Sequence, residues 1–181
     1  MLMTVAELRQ FVSTDETYRA LEARLQALEL LIRAYTNINF QRRGYRCNAD
    51  ITGVAFTGDT VPPFSVGDTV QVTESLLNAG LYTVKTVTED SFSVNEPLQP
   101  ENNVACTKVV YPADVKMGAV NMMKWDLNNR EKVGISSETI SRHSVTYFDL
   151  GADNSIMGYP KALLGFLRPY MRARFGQGLR V

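Results

Sequence analysis

The chain has 181 residues, nearly half of them apolar, which is enough for one ordinary core or two small ones. Lysine plus arginine balance aspartate plus glutamate, so composition alone gives no reason to expect nucleic-acid binding. No run of about 18 apolar residues is present, so no membrane span is expected. The N-terminal MLMTVAELRQ lacks a basic stretch followed by an apolar one, and a cytosolic protein without a signal peptide is expected.

The zero net charge conceals a pattern. Residues 1–47 carry Arg9, Arg19, Arg24, Arg33, Arg42, Arg43 and Arg46. Residues 48–110 have only Lys85 and Lys108 against Asp50, Asp59, Asp68, Glu74, Glu89, Asp90, Glu96 and Glu101. The remainder is basic again. An acidic middle between basic flanks points to separate surfaces for different partners.

In chain order, Thr4 and Glu7 form a capping-box pattern that opens a short helix over residues 5–12. Ser13-Thr14-Asp15 breaks it and supplies a new cap. Over residues 15–35, Tyr18, Leu21, Leu25, Leu28, Ile32 and Tyr35 alternate in steps of three and four, which predicts a long amphipathic helix widened by Leu30 and Leu31. Asn37, Asn39 and Gly44 end it. The period then changes. Stretches 51–56, 69–73, 81–88, 91–94 and 104–110 are rich in Val, Thr, Tyr and Phe. Turn residues such as Gly58-Asp59, Pro62-Pro63, Gly67-Asp68 and Asn78-Ala79-Gly80 separate them. These predict a small antiparallel barrel or sandwich of about five short strands.

Pro112-Ala113-Asp114 starts the next helix, expected over residues 113–132 with Gly134 as its stop. Residues 135–159 read as a long polar loop, either functional in itself or an arm that orders against a neighbour. A last helix is expected over residues 161–175, kinked or split at Pro169. The fold class is therefore α+β: a helical frame of about four helices in residues 1–44 and 112–181, with a β-domain inserted at residues 45–111. An insertion needs its ends close together, which places Cys47 and Cys106 side by side at its base. In the cytosol the two are expected as reduced thiols.

Chemistry-bearing motifs are scarce. Cys47 and Cys106 have no zinc-ligand spacing, and His143 is the only histidine. Ser141 and Ser144 flank it, but sequence adjacency does not build a triad. Gly53 to Gly58 lacks the Lys-Ser/Thr ending of a phosphate loop. No catalytic residue, cofactor or metal is expected. The most pointed charge feature is terminal: Lys161, Arg168, Arg172, Arg174 and Arg180, with no acid after Asp153. Interleaved with Tyr170 and Phe175, this segment reads either as a surface for phosphates or an acidic protein, or as a solvated helix face.

Three stretches carry a family resemblance. They are LIRAYTN with Phe40 at the end of the first long helix, KMGAVNMMKW running to Asn129-Arg130 and Gly134, and SSETISRHSVTY with the ending GYPKALLGFLRPYMRARF. Across residues 1–44 and 112–181 the chain resembles phage head–tail connector proteins of the head-completion adaptor type, from phages and prophages of Gram-positive bacteria. The resemblance implies a virion protein at the head–tail interface, assembled in the host cytoplasm as a ring of about twelve copies. It implies the portal protein and a tail-side connector or stopper as partners, with packaged DNA passing through non-specifically and no membrane. Lys161, Arg168, Arg172, Arg174 and Arg180 are then expected at the portal or DNA channel, and Ser137, Ile140, His143 and Tyr147 at the subunit interface. The β-domain departs from the family pattern. The alternative reading is a stand-alone protein-binding module built on an SH3-like β-domain; an unfamiliar enzyme is the third.

Overall fold

The computed structural model describes residues 1–58, 64–129 and 154–173, together with the backbone of residues 137–140 and 143–146. The fold is α+β. Among the described residues it comprises three α-helices, a 3₁₀ helix, a closed six-stranded antiparallel barrel and two short strand pairs. The chain forms two compact units: residues 1–4 with 39–111, and residues 5–38 with 112–181.

In the helical unit, α1 (Val5–Arg9) buries Val5 and Leu8. It is shorter than the sequence predicts, and residues 10–12 follow as turns closed by Gln10 N–H to Glu7 O and Val12 N–H to Leu8 O. α2 (Tyr18–Thr36) starts later than expected because Thr17, rather than the Ser13–Asp15 cluster, is its cap: the Thr17 hydroxyl accepts from Ala20 N–H at 3.3 Å. Leu21, Leu25, Leu28 and Ile32 form its buried stripe, whereas Tyr18 and Leu30 face solvent. Asn37 ends it in the left-handed conformation (φ 55°), a geometry Asn tolerates better than most residues. α3 (Ala113–Asn129) buries Val115, Gly118, Ala119, Val120, Met122 and Met123. The expected end at Lys132 and Gly134 lies outside the described residues.

The barrel unit is built from β1 (Gln41–Thr52), β2 (Ala55–Thr57), β3 (Thr69–Thr73), β4 (Gly80–Val87), β5 (Ser91–Val94) and β6 (Glu101–Val109). Strand order around it is β1-β2-β5-β4-β3-β6, with β6 returning to β1. Its interior holds Ile51, Phe56, Phe64, Val70, Val72, Val84, Phe92, Val94, Val104 and Cys106. Phe56 and Phe92 stack at 4.6 Å, and Phe64 meets Phe92 edge-on at 4.9 Å. Alternation of buried and less buried residues along β3 is what a strand with one core face requires. Residues 1–4 belong to this unit: the terminal amine of Met1 donates to the Thr69 hydroxyl, which donates back to Met1 O.

Two expectations about strands need correction. The 51–56 stretch is a hairpin: β1 and β2 pair through Ile51↔Phe56 and Thr52↔Ala55, and Gly53 supplies the positive φ (63°) of the turn. β1 also begins at Gln41, ten residues before that stretch, and most of its first half points outward. At the mouth of the barrel, Val110 N–H bonds Phe40 O at 2.9 Å and the Phe40 ring packs on Tyr111 at 4.9 Å. The chain thus enters and leaves this unit at one place, and Cys47 sits directly opposite Cys106.

Residues 135–159 are not a plain loop. β7 (Ser137–Ile140) pairs with β8 (His143–Thr146), and β9 (Ser155–Ile156) with β10 (Tyr159–Pro160). Met157 and Gly158, both at positive φ, turn the second pair.

Candidate interaction surfaces

The C-terminal basic segment is folded differently from the expected α-helix. Residues Lys161–Tyr170 form a single 3₁₀ helix with Leu164 and Leu167 buried and Lys161 and Arg168 exposed. Pro169 lies next to its end and neither kinks nor splits it; the helix stops at Tyr170, and Met171 is extended.

Contacts to α2 and α3 hold this segment. The Tyr170 hydroxyl lies 2.8 Å from both carboxylate oxygens of Asp114 at the start of α3. That hydrogen bond to a carboxylate raises the Tyr170 pKa, because losing the proton would set two negative charges together. Arg172 N–H bonds Thr36 O at 2.9 Å, and the Asn37 amide donates to Ala173 O at 3.2 Å. The last carbonyl of α2 and its capping residue therefore hold the exit of the chain. Phe166 rests on α3 at Gly118, where an added Cβ would lie 2.3 Å from the ring. Arg168 and Arg172 are exposed and form no ion pair among the described residues. Arg174 and Arg180 lie outside the described residues.

Beside α2 and α3 lies a cavity of about 240 Å³ lined by Arg24, Ala27, Leu28, Leu31, Met123, Asp126, Met157 and Tyr159. Arg24 spans two carboxylates at its edge, Glu16 and the buried Asp126, each at 2.9 Å. The Tyr159 hydroxyl reaches Asp126 at 3.4 Å, and its ring packs on Trp125 at 5.4 Å. Sharing the guanidinium between carboxylates keeps Asp126 paired despite its burial.

On the barrel, the β3–β4 connection presents Leu76 and Leu77, 97% and 66% exposed. A loop this apolar does not hold its shape by burial. Glu101 holds it instead, accepting from the Ser75 hydroxyl (2.6 Å), Leu76 N–H (2.7 Å) and the Asn78 amide (2.8 Å). Asn78 is buried and ties the loop to Gln99 through its amide and carbonyl. These bonds favour the ionised carboxylate and lower the Glu101 pKa. The sequence reading marked only the Asn78-Ala79-Gly80 turn here. The missed signal was a pair of leucines inside a Ser/Asn turn.

Of the residues expected at a subunit interface, Ser137, Ile140 and His143 lie on the β7–β8 pair, where Ser137 aligns with Thr146 and Ile140 with His143. Their side chains and Tyr147 lie outside the described residues. No cluster of three or more His, Cys, Asp or Glu that could hold a metal occurs among the described residues. No helix among them is long and apolar enough to cross a membrane.

No family model and no curated protein matches the chain. Among solved structures, a chain described as part of the neck of an empty GTA particle, computed with C6 symmetry, is similar over 98% of this chain and 93% of its own length. The identity is 12% and the TM-score 0.36, a likeness too distant to assign a function to this chain.

Proposed function

We propose that this chain is a structural subunit of a bacteriophage or prophage head–tail connector. In this reading it docks as a ring on the portal, extends the DNA channel and receives the tail-side protein. The resemblance of residues 1–44 and 112–181 to head-completion adaptors is its starting point. The observation that carries it furthest is the C-terminal segment: the stretch with the connector-like ending is clamped to α2 and α3, while Arg168 and Arg172 stay exposed.

A fixed backbone presenting unpaired cations suits an acidic protein face or passing phosphates, which are held by charge and not read by sequence. The barrel adds a second surface. Leu76 and Leu77, held on a hydrogen-bonded loop, are the apolar tip we assign to the tail-side partner. The residues on β7 and β8 are assigned to contacts between subunits.

Charge reversal tests the portal assignment. The double variant Arg168→Glu, Arg172→Glu is expected to lose portal binding at least tenfold, measured by sedimentation with purified portal rings. Equal binding by the variant and the natural chain would remove these residues from the interface. The second reading, a stand-alone binding module, draws on the barrel having a closed core of its own. It predicts a partner captured through Leu76 and Leu77 and no affinity for the portal.

A further inference from the structure

Cys47 on β1 and Cys106 on β6 are direct partners in the antiparallel register, within an unbroken run from Arg46↔Thr107 to Ala49↔Val104. Directly opposite residues in such a pair have Cα atoms about 4.5–5.5 Å apart and side chains on the same face. A disulfide spans Cα separations of about 4.4–6.8 Å. The backbone therefore already satisfies the distance requirement of a bridge. The two thiols are also unlike. Cys106 is fully buried in the barrel core, whereas Cys47 lies at the edge of that core and is partly open to solvent.

We propose that Cys47 and Cys106 form a redox site, a dithiol that a small-molecule disulfide oxidises to a cross-strand disulfide joining the strands by which the chain enters and leaves the barrel. Cys47 is the attacking group. It is the more exposed of the two thiols, and proximity of the pair lowers its pKa, whereas its neighbour and burial raise that of Cys106.

The chemistry is a thiol–disulfide exchange with a glutathione-type oxidant. The Cys47 thiolate attacks one sulfur of oxidised glutathione. A mixed disulfide forms, the oxidant's S–S bond breaks, and one glutathione thiolate leaves. The mixed disulfide removes the negative charge that held the proton on Cys106. Cys106 then gives its proton to solvent and attacks the Cys47 sulfur, and the second glutathione leaves. Two protein thiols lose two electrons and two protons, and one glutathione disulfide becomes two thiols.

The bridge would close the loop from residue 47 to residue 106 and lock the β1–β6 seam. The inference stands on the barrel alone and does not depend on the connector reading.

The test is to incubate the folded, full-length chain with oxidised glutathione at neutral pH and follow intact mass and free thiols. The expected product is monomeric, lighter by two hydrogen atoms, without a glutathione adduct and without free thiol. Its urea midpoint should lie above that of the reduced protein, and dithiothreitol should reverse the shift. Cys106→Ala should keep one glutathione on Cys47, since nothing resolves the adduct. If that core variant does not fold, Cys47→Ser serves instead: Cys106 should stay unmodified under the same conditions. A natural chain that retains both thiols, accumulates a glutathione adduct or forms a disulfide-linked dimer would overturn the proposal, as would rapid modification of Cys106 in Cys47→Ser.

Discussion

The barrel unit and the helical unit solve the problem of a core in opposite ways. The barrel encloses aromatic and β-branched side chains, with Phe56, Phe64 and Phe92 packed ring against ring. Its large exposed apolar residues include Leu76 and Leu77 on the braced loop. The helical unit buries charge as well: Glu29, Arg33 and Asp126 are all at or below 9% exposure. It also leaves Leu30, Met117, Met157 and Met171 at 44–60% exposure. A unit that completes its own core reads as an independent module. Buried charge, exposed methionines and a basic terminal segment are the features of the helical unit on which the proposed assembly role draws.

That contrast can be broken at several points. Phe92 lies at the centre of the barrel's aromatic cluster, so Phe92→Ala should destabilise the barrel by about 3–5 kcal/mol. Urea denaturation followed by near-ultraviolet circular dichroism checks this, and a loss below about 1 kcal/mol would mean the stack is not the centre of the core. The equivalent point in the helical unit is tight rather than large. Gly118→Ala pushes a methyl into the Phe166 ring and should cost about 1–3 kcal/mol. Trp125 lies in the same helix and is the only tryptophan, so its fluorescence reports the change directly.

A smaller effect is expected at the helix start. Thr17→Ala removes the cap on Ala20 N–H and should cost about 1 kcal/mol, read from the same fluorescence transition.

The smallest effect is local and depends on pH. Glu101 has a lowered pKa in the folded chain, so its contribution is complete above the ordinary carboxylate range and is lost as pH falls through the folded value. Amide exchange at Leu76 and Leu77 should therefore accelerate in acid relative to the barrel strands, and Glu101→Gln should show the same acceleration at neutral pH. Exchange that ignores both changes would mean the carboxylate does not hold the loop.

How much of this was legible beforehand follows from where the side chains point. The α2 stripe was readable because one face is buried, and the 3–4 spacing of Leu21, Leu25, Leu28 and Ile32 records that face. Strands β3 and β5 were readable for the corresponding reason at period two, whereas β4 and β6 do not alternate in burial and were readable from their Val and Thr content. The first half of β1 was not, because Arg42, Arg43 and Arg46 point outward and leave no apolar alternation. The hairpin at Gly53 was hidden because Ile51 to Phe56 is apolar enough to pass for one strand. Strands β7 and β8 are four residues each with one large apolar residue apiece, Ile140 and Val145, too little to show a period of two. The terminal helix was placed correctly at its start, but periodicity does not separate a 3₁₀ from an α-helix, and the chain leaves the helix after Tyr170. The exposed tip at Leu76 and Leu77 was invisible because its support, Glu101, lies 25 residues downstream of Leu76.

The proposed role requires this chain to build a ring on a portal. Its most direct test is to mix the purified chain with the purified portal ring of the same phage or prophage and image the mixture by electron microscopy. The account predicts a second ring of density stacked on the portal, lost in the double variant Arg168→Glu, Arg172→Glu. Intact portal rings with no added density at saturating concentrations of the chain would contradict it.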